Sequence, residues 1–275
     1  MPPKPAAPKL THFLCIPLVT STSRPQLQKS LTTFRENVSK RKTLGLPDGL
    51  PEKTIRPLGT LHLTLGVMSL LTPEKVDGAL RLLNELDINE MLAAPSPVKF
   101  ASNPLSHEKN ELSESAAAER GDKKLGSGKG EASTLEPLKV TLRGLTSMHK
   151  ASQTSILYSS PLDPDLRLYQ FCQRLRDIFM KAEFIMEDKK ALLLHATILN
   201  TVYARGGRGK GTGHGKTRRA KILIDARGIL EEYEEFEFMN DVKVEKVAIC
   251  RMGAKVDEDG EERYEVEGEI EVPEA

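Results

Sequence analysis

Tryptophan is absent from the 275 residues, and aromatic side chains make up only 5%. That scarcity argues against an extended base-stacking platform and favours short ligands or strand ends. Cysteine is scarce too. Cys15, Cys172 and Cys250 stand far apart, odd in number and each in an apolar setting. Such spacing gives no disulfide framework or C-x-x-C metal site, so all three are expected as small core residues in a reducing compartment. An excess of one charge is also missing: 40 basic and 39 acidic side chains leave a formal net charge of +1. Bulk charge therefore identifies no polyanionic partner, and only its distribution can. No apolar run approaches the ~20 residues of a membrane span. The opening MPPKPAAPKL lacks the apolar core of a signal peptide. An intracellular protein, nuclear or cytoplasmic or both, with no membrane partner is expected.

What is present is enough to fold. Hydrophobic residues make up 39% of the chain, sufficient for a core in one large domain or two intimately packed lobes. Residues 1–10 read as disordered and residues 11–272 as the folded domain. Strands are expected at 11–19 and 61–68, with a helix between them carrying Leu27, Leu31, Phe34 and Val38 at helical spacing. Thr72 and Pro73 open a second helix with Val76, Leu80, Leu83 and Leu86 as its stripe. Ser, Ala, Gly, Glu and Lys dominate 102–133, which reads as a disordered insertion. Strands resume at 138–145 and 155–159. A helix follows, capped by Asp163, with Tyr169, Cys172, Leu175, Ile178 and Phe179 on its apolar face. Strands at 192–202, 221–225, 242–252 and 264–272 complete the chain, the last two paired around DEDGEE. Strands and helices mix with hairpin-length links, which indicates an α+β fold.

One short pattern occurs twice: Leu61-His62-Leu63-Thr64-Leu65 and Leu194-His195-Ala196-Thr197-Ile198. In a strand, alternate side chains share a face, so each His pairs with its Thr opposite an apolar side. Each copy also follows a helix. A single H-x-T is weak evidence, because a lone histidine is more often a hydrogen-bonded bystander. Two copies in matching contexts point to a duplicated lobe, with both histidines on central strands of two sheets facing one cleft. Two imidazoles can serve as general base and general acid, and two threonine hydroxyls can donate to phosphate oxygens. His62 and His195 are thus the catalytic candidates, and Thr64 and Thr197 the phosphate-binding ones. No metal or other cofactor is expected.

THFLCIPLV, LHLTLGVMSLLTPEKV, PLKVTLRGL, LLLHATILNTVYAR and IDARGIL together resemble the 2H phosphoesterase superfamily. The likeness is strongest to its eukaryotic branch, which includes an A-kinase anchoring protein domain and an activating signal cointegrator 1 complex subunit. It runs from Thr11 to about Ile270. It implies two pseudo-symmetric lobes with antiparallel sheets flanking a central cleft, helices on the outer faces, and the H-x-T residues as the site. It also implies metal-independent hydrolysis of 2′,5′-phosphodiesters or 2′,3′-cyclic phosphates on RNA ends or oligonucleotides. The alternative it leaves is a non-catalytic nucleotide- or RNA-binding subunit of a transcription-coactivator or repair complex.

Residues 206–217 (GGRGKGTGHGKT) invite comparison with a phosphate-binding P-loop, but Lys210 stands where that pattern needs its first glycine. The surrounding basic loop, 205–219, reads equally as a solvated linker or as a clamp on a nucleic-acid backbone through Arg205, Arg208, Lys210 and Lys216. Asn200 and Thr201 are expected to serve structure, and His12, His107, His149 and His214 no catalytic role.

Overall fold

Leu27, Leu31, Phe34 and Val38 are buried on one face of the first helix, α1 (Ser23–Val38), where the helical spacing puts them. This helix joins β1 (His12–Pro17) to β2 (His62–Met68), which pair antiparallel. The computed structural model describes residues 8–42, 49–93, 136–186, 190–204 and 222–273. The 102–133 insertion and Arg205, Arg208, Lys210 and Lys216 fall outside them. After β2 come α2 (Pro73–Asn84) and α3 (Ile88–Ala93). Thr72 and Pro73 open α2 as expected, whereas the sequence reading missed α3.

The second lobe is built on a long hairpin. One arm is β3 (Lys139–Arg143) then β4 (Thr146–Ser147); the other is β5 (Ile156–Ser159) then β6 (Pro161–Leu162). The arms kink at 144–145 and at Ser160, which divides the hairpin between two sheets. Next come α4 (Arg167–Lys181), β7 (Ala196–Asn200), α5 (Arg227–Glu232), β8 (Glu237–Lys243), β9 (Lys246–Arg251), β10 (Lys255–Val256), β11 (Glu262–Arg263) and β12 (Val266–Glu271). Strand orders are β12-β9-β1-β2 in one lobe, and β6-β3-β8 with β4-β5-β7 in the other; β10 and β11 form a small hairpin over DEDGEE. The fold is α+β, and the two lobes repeat one unit: β1-α1-β2 and β5-α4-β7.

The helices tie the lobes together. Ser30 on α1 donates to the Phe238 carbonyl of β8 at 2.8 Å, and Arg176 on α4 donates to the Leu65 carbonyl of β2 at 2.8 Å. Each helix therefore packs across to the other lobe, and a single apolar cluster runs through both. Asp163 caps α4 from a distance, its carboxylate accepting the N–H groups of Leu168 and Tyr169 at 3.2 and 2.7 Å.

Several sequence expectations need correction. The strand expected at 192–202 begins only at Ala196, so His195 stands just ahead of it. The single strand expected at 242–252 is two, β8 and β9, parted at Val244–Glu245. β8 begins in an acidic stretch, at Glu237, because Phe238 and Met239 beside it are buried. The strand expected at 221–225 reduces to a bridge between Ile224 and Thr154. The cysteines, far apart in sequence, do not stay apart. Cys15 Sγ and Cys250 Sγ lie 3.9 Å from each other on adjacent strands β1 and β9, buried and free.

Gly144 makes the first kink possible. Its φ is +76°, its N–H donates to the Phe236 carbonyl at 2.8 Å, and an added Cβ would meet the Glu234 carbonyl oxygen at 2.6 Å. Backbone cannot move aside as a flexible side chain can. Gly144→Ala is expected to cost about 1–3 kcal/mol, read as a lower urea midpoint. An unchanged midpoint would show that the kink does not depend on this glycine.

Candidate active site

The two H-x-T segments share more than sequence. Residues 61–67 and 194–200 run through one burial pattern: buried, half-buried, buried, half-buried, then two buried and one half-buried. The adjacent strand explains the doubled buried pair. On β1, Leu14 pairs with Gly66 but Cys15 with Thr64, so Leu65 is a bulge. On β5, Leu157 pairs with Leu199 but Tyr158 with Thr197, so Ile198 is a bulge. Both bulges follow the threonine directly. A bulge adds one residue and turns the rest of the strand over. It leaves the His and Thr half-buried and returns the strand's apolar residues to the core.

The imidazoles are held alike as well. His62 Nδ1 lies 2.8 Å from the Thr60 carbonyl oxygen, and His195 Nδ1 lies 2.9 Å from the Leu193 carbonyl oxygen. A carbonyl oxygen only accepts, so each Nδ1 carries the proton and each Nε2 is left as the basic nitrogen. His62 Nε2 is 3.0 Å from Thr64 Oγ1, so the hydroxyl donates to it. Aromatic rings brace both histidines. Phe13 lies 4.8 Å from His62, Tyr264 meets His62 edge-on at 5.2 Å, and Tyr158 meets His195 edge-on at 5.3 Å.

β2 and β7 are edge strands, not the central ones expected, and the two edges meet at the seam between lobes. Ile55 bridges to Leu199, and the Arg56 N–H donates to the Ile198 carbonyl at 2.8 Å. Pairing across the seam covers backbone that an open edge would expose. A cleft of about 950 Å³ opens there, with Phe13, Arg56, His62, Thr64, Asn200 and Tyr264 among its walls. His195 and Thr197 do not line this cavity, although Asn200 on the same strand does. Burial lowers the His62 pKa to about 4, and the nearby charges of Arg56 and then His195 push the same way against the Thr60 hydrogen bond. His62 is thus neutral at pH 7, and His195 stands within electrostatic reach of it.

Asn200 and Thr201 both make structural hydrogen bonds, and Asn200 also lines the cleft. Asn200 Oδ1 accepts the Val202 N–H at 3.0 Å, and Thr201 Oγ1 donates to the Ile222 carbonyl at 2.6 Å. His12 is buried, with Nδ1 2.9 Å from Thr11 Oγ1. Among the described residues no three His, Cys, Asp or Glu side chains group as a metal site, and no helix is long and apolar enough to cross a membrane. Sequence reasoning missed Arg56, Tyr158, Tyr203 and Tyr264. No motif marks them, and only the folded chain brings them to the histidines.

Comparison with known proteins covers nearly the whole chain. An uncharacterized Schizosaccharomyces pombe protein is 26% identical over 127 residues, which are 46% of this chain and 54% of that one. The chain thus matches about half the length of this curated relative. Escherichia coli LigT complexed with 3′-AMP is 12% identical with a TM-score of 0.46, covering 96% of this chain and 98% of that one. A solved phosphoesterase is 13% identical at a TM-score of 0.47 over the same shares. The Thermus thermophilus protein TT0787 is 13% identical at 0.46, over 95% and 97%. Residues 10–272 match the family described as the AKAP7 2′5′ RNA ligase-like domain, and the chain belongs to that family.

Proposed function

We propose that this protein is a metal-independent phosphodiesterase that acts on 2′,5′-phosphodiesters or 2′,3′-cyclic phosphates at RNA ends or in oligonucleotides. Membership of the family supports phosphodiesterase-type activity in general. The observation that carries the finer reading is the twofold repetition of a protonated Nδ1 fixed by the carbonyl two residues back, which leaves Nε2 as the reactive nitrogen on each lobe. Structural histidines have no need of such a match.

The roles divide by environment. His62, kept neutral by burial, takes the proton from the attacking hydroxyl or water. His195 acts in its doubly protonated form: Nδ1–H stays on the Leu193 carbonyl, and the second proton, on Nε2, passes to the leaving oxygen. Thr64 and Thr197 donate to the non-bridging oxygens, where negative charge grows. In the free protein the Thr64 hydroxyl is spent on His62 Nε2. Once His62 is protonated, that nitrogen becomes a donor, and the Thr64 hydroxyl is released to the phosphate as charge develops.

A panel of 2′,5′- and 3′,5′-linked dinucleotides and nucleoside 2′,3′-cyclic phosphates tests this reading. One preferred class should turn over with EDTA present. His62→Ala and His195→Ala should each slow it by ~10²–10⁴-fold. Measurable nucleotide binding with no turnover on any substrate would make the chain a binding subunit instead.

The pH profile gives an independent check. The base must be unprotonated, so kcat/KM falls as pH drops through its pKa in the free enzyme. With His62 as base, the acidic limb should lie near pH 4, well below the ordinary histidine value of about 6.5. A limb near 6.5 would take the role of base away from His62.

A further inference from the structure

Arg56 is 5% exposed, deeply buried for an arginine. Its guanidinium stays charged in any protein environment. Buried charges are normally paired, because the water they lose must be replaced. Among the described residues no carboxylate forms an ion pair with Arg56, although Glu52 and Glu262 line the same cleft. What holds it is weaker: the face of Tyr203, 4.4 Å from the guanidinium carbon to the ring centroid, and the Tyr264 hydroxyl at 3.4 Å. Both contacts orient the group without neutralising it.

The backbone fixes where this charge sits. The residue before a proline is held extended; here that proline is Pro57, and the Arg56 N–H is tied to Ile198, next to Thr197. Arg56 also borders the cavity that His62 and Thr64 line, and its charge reaches His62. The His and Thr side chains that line it are neutral donors and acceptors; of the three cations that border it, Arg35 is half-buried, Lys53 is exposed, and Arg56 is the buried one.

We propose that Arg56 binds a phosphate of the substrate in this cleft, as the cation that compensates the ligand's charge. This rests on the phosphodiesterase reading for the nature of the ligand. The planar fork of the guanidinium suits two phosphate oxygens at once, with Tyr203 fixing its plane. An arginine kept for this purpose is costly to the free protein and useful to the loaded one.

Calorimetric titration with adenosine 3′-monophosphate and with adenosine, paired with thermal melts of the ligand-free protein, tests the proposal. The wild type should bind the monophosphate more tightly than the nucleoside. Arg56→Met should lose about tenfold or more of the monophosphate affinity, leave adenosine affinity unchanged, and melt no lower than wild type. Arg56→Lys, keeping the charge without the fork, should fall between. Three results would overturn it: unchanged monophosphate affinity in Arg56→Met, a wild type indifferent to the phosphate, or an Arg56→Met that is unfolded or melts well below wild type. The last would make Arg56 a structural residue. Phosphate binding through Arg56 without any turnover would remove the catalytic reading and leave this inference standing.

Discussion

A hydrogen bond from an imidazole N–H to a backbone carbonyl two residues earlier is the constraint on which the site depends. It occurs twice, Thr60 to His62 and Leu193 to His195. Each bond chooses the tautomer, fixes the ring plane and points the basic nitrogen away from its own backbone. Ahead of His62 lies a 3-10 turn over Leu58–Thr60, and ahead of His195 the chain is not yet paired as a strand.

Packing then makes the two halves one. A bulge after each threonine returns each H-x-T strand to the core. α1 and α4 cross to opposite lobes, and the edge of β7 pairs with the Ile55–Arg56 segment ahead of β2 through Ile198 and Leu199. His62 is enclosed by Phe13 and Tyr264 of its own lobe, and its lowered proton affinity follows from that burial. Arg56, at the seam, is buried without an ion pair among the described residues. Histidine and arginine thus respond to burial in opposite ways: one gives up its charge, the other cannot.

Much of this was legible in the sequence, and the reasons differ by element. α1, α2 and α4 announce themselves because leucines and phenylalanines recur at helical spacing. The H-x-T strands do so because alternation leaves a polar pair on an apolar strand. The kinked hairpin and the bulges were not legible, because a bulge shifts register by one residue and leaves no composition signal. β8 was hidden because Glu234, Glu235 and Glu237 crowd the buried Phe238 and Met239. Of the candidate site, His62, Thr64, His195 and Thr197 could be named from the repeat. Arg56, Tyr203 and Tyr264 could not, because they meet only through the seam. The closeness of Cys15 and Cys250 escaped because β1 and β9, far apart in the chain, become neighbours only in the folded sheet.

The central claim is that both histidines hold a proton on Nδ1 and direct Nε2 to a single phosphate. Long-range ¹H–¹⁵N NMR of the imidazoles, recorded at pH 7 with and without adenosine 3′-monophosphate, addresses it most directly. The account predicts a protonated Nδ1 at His62 and His195 in the free protein, and a shift of both Nε2 resonances with one common saturation curve. A neutral ring protonated only at Nε2 at either residue, or a ligand that moves one histidine and leaves the other untouched, would contradict it.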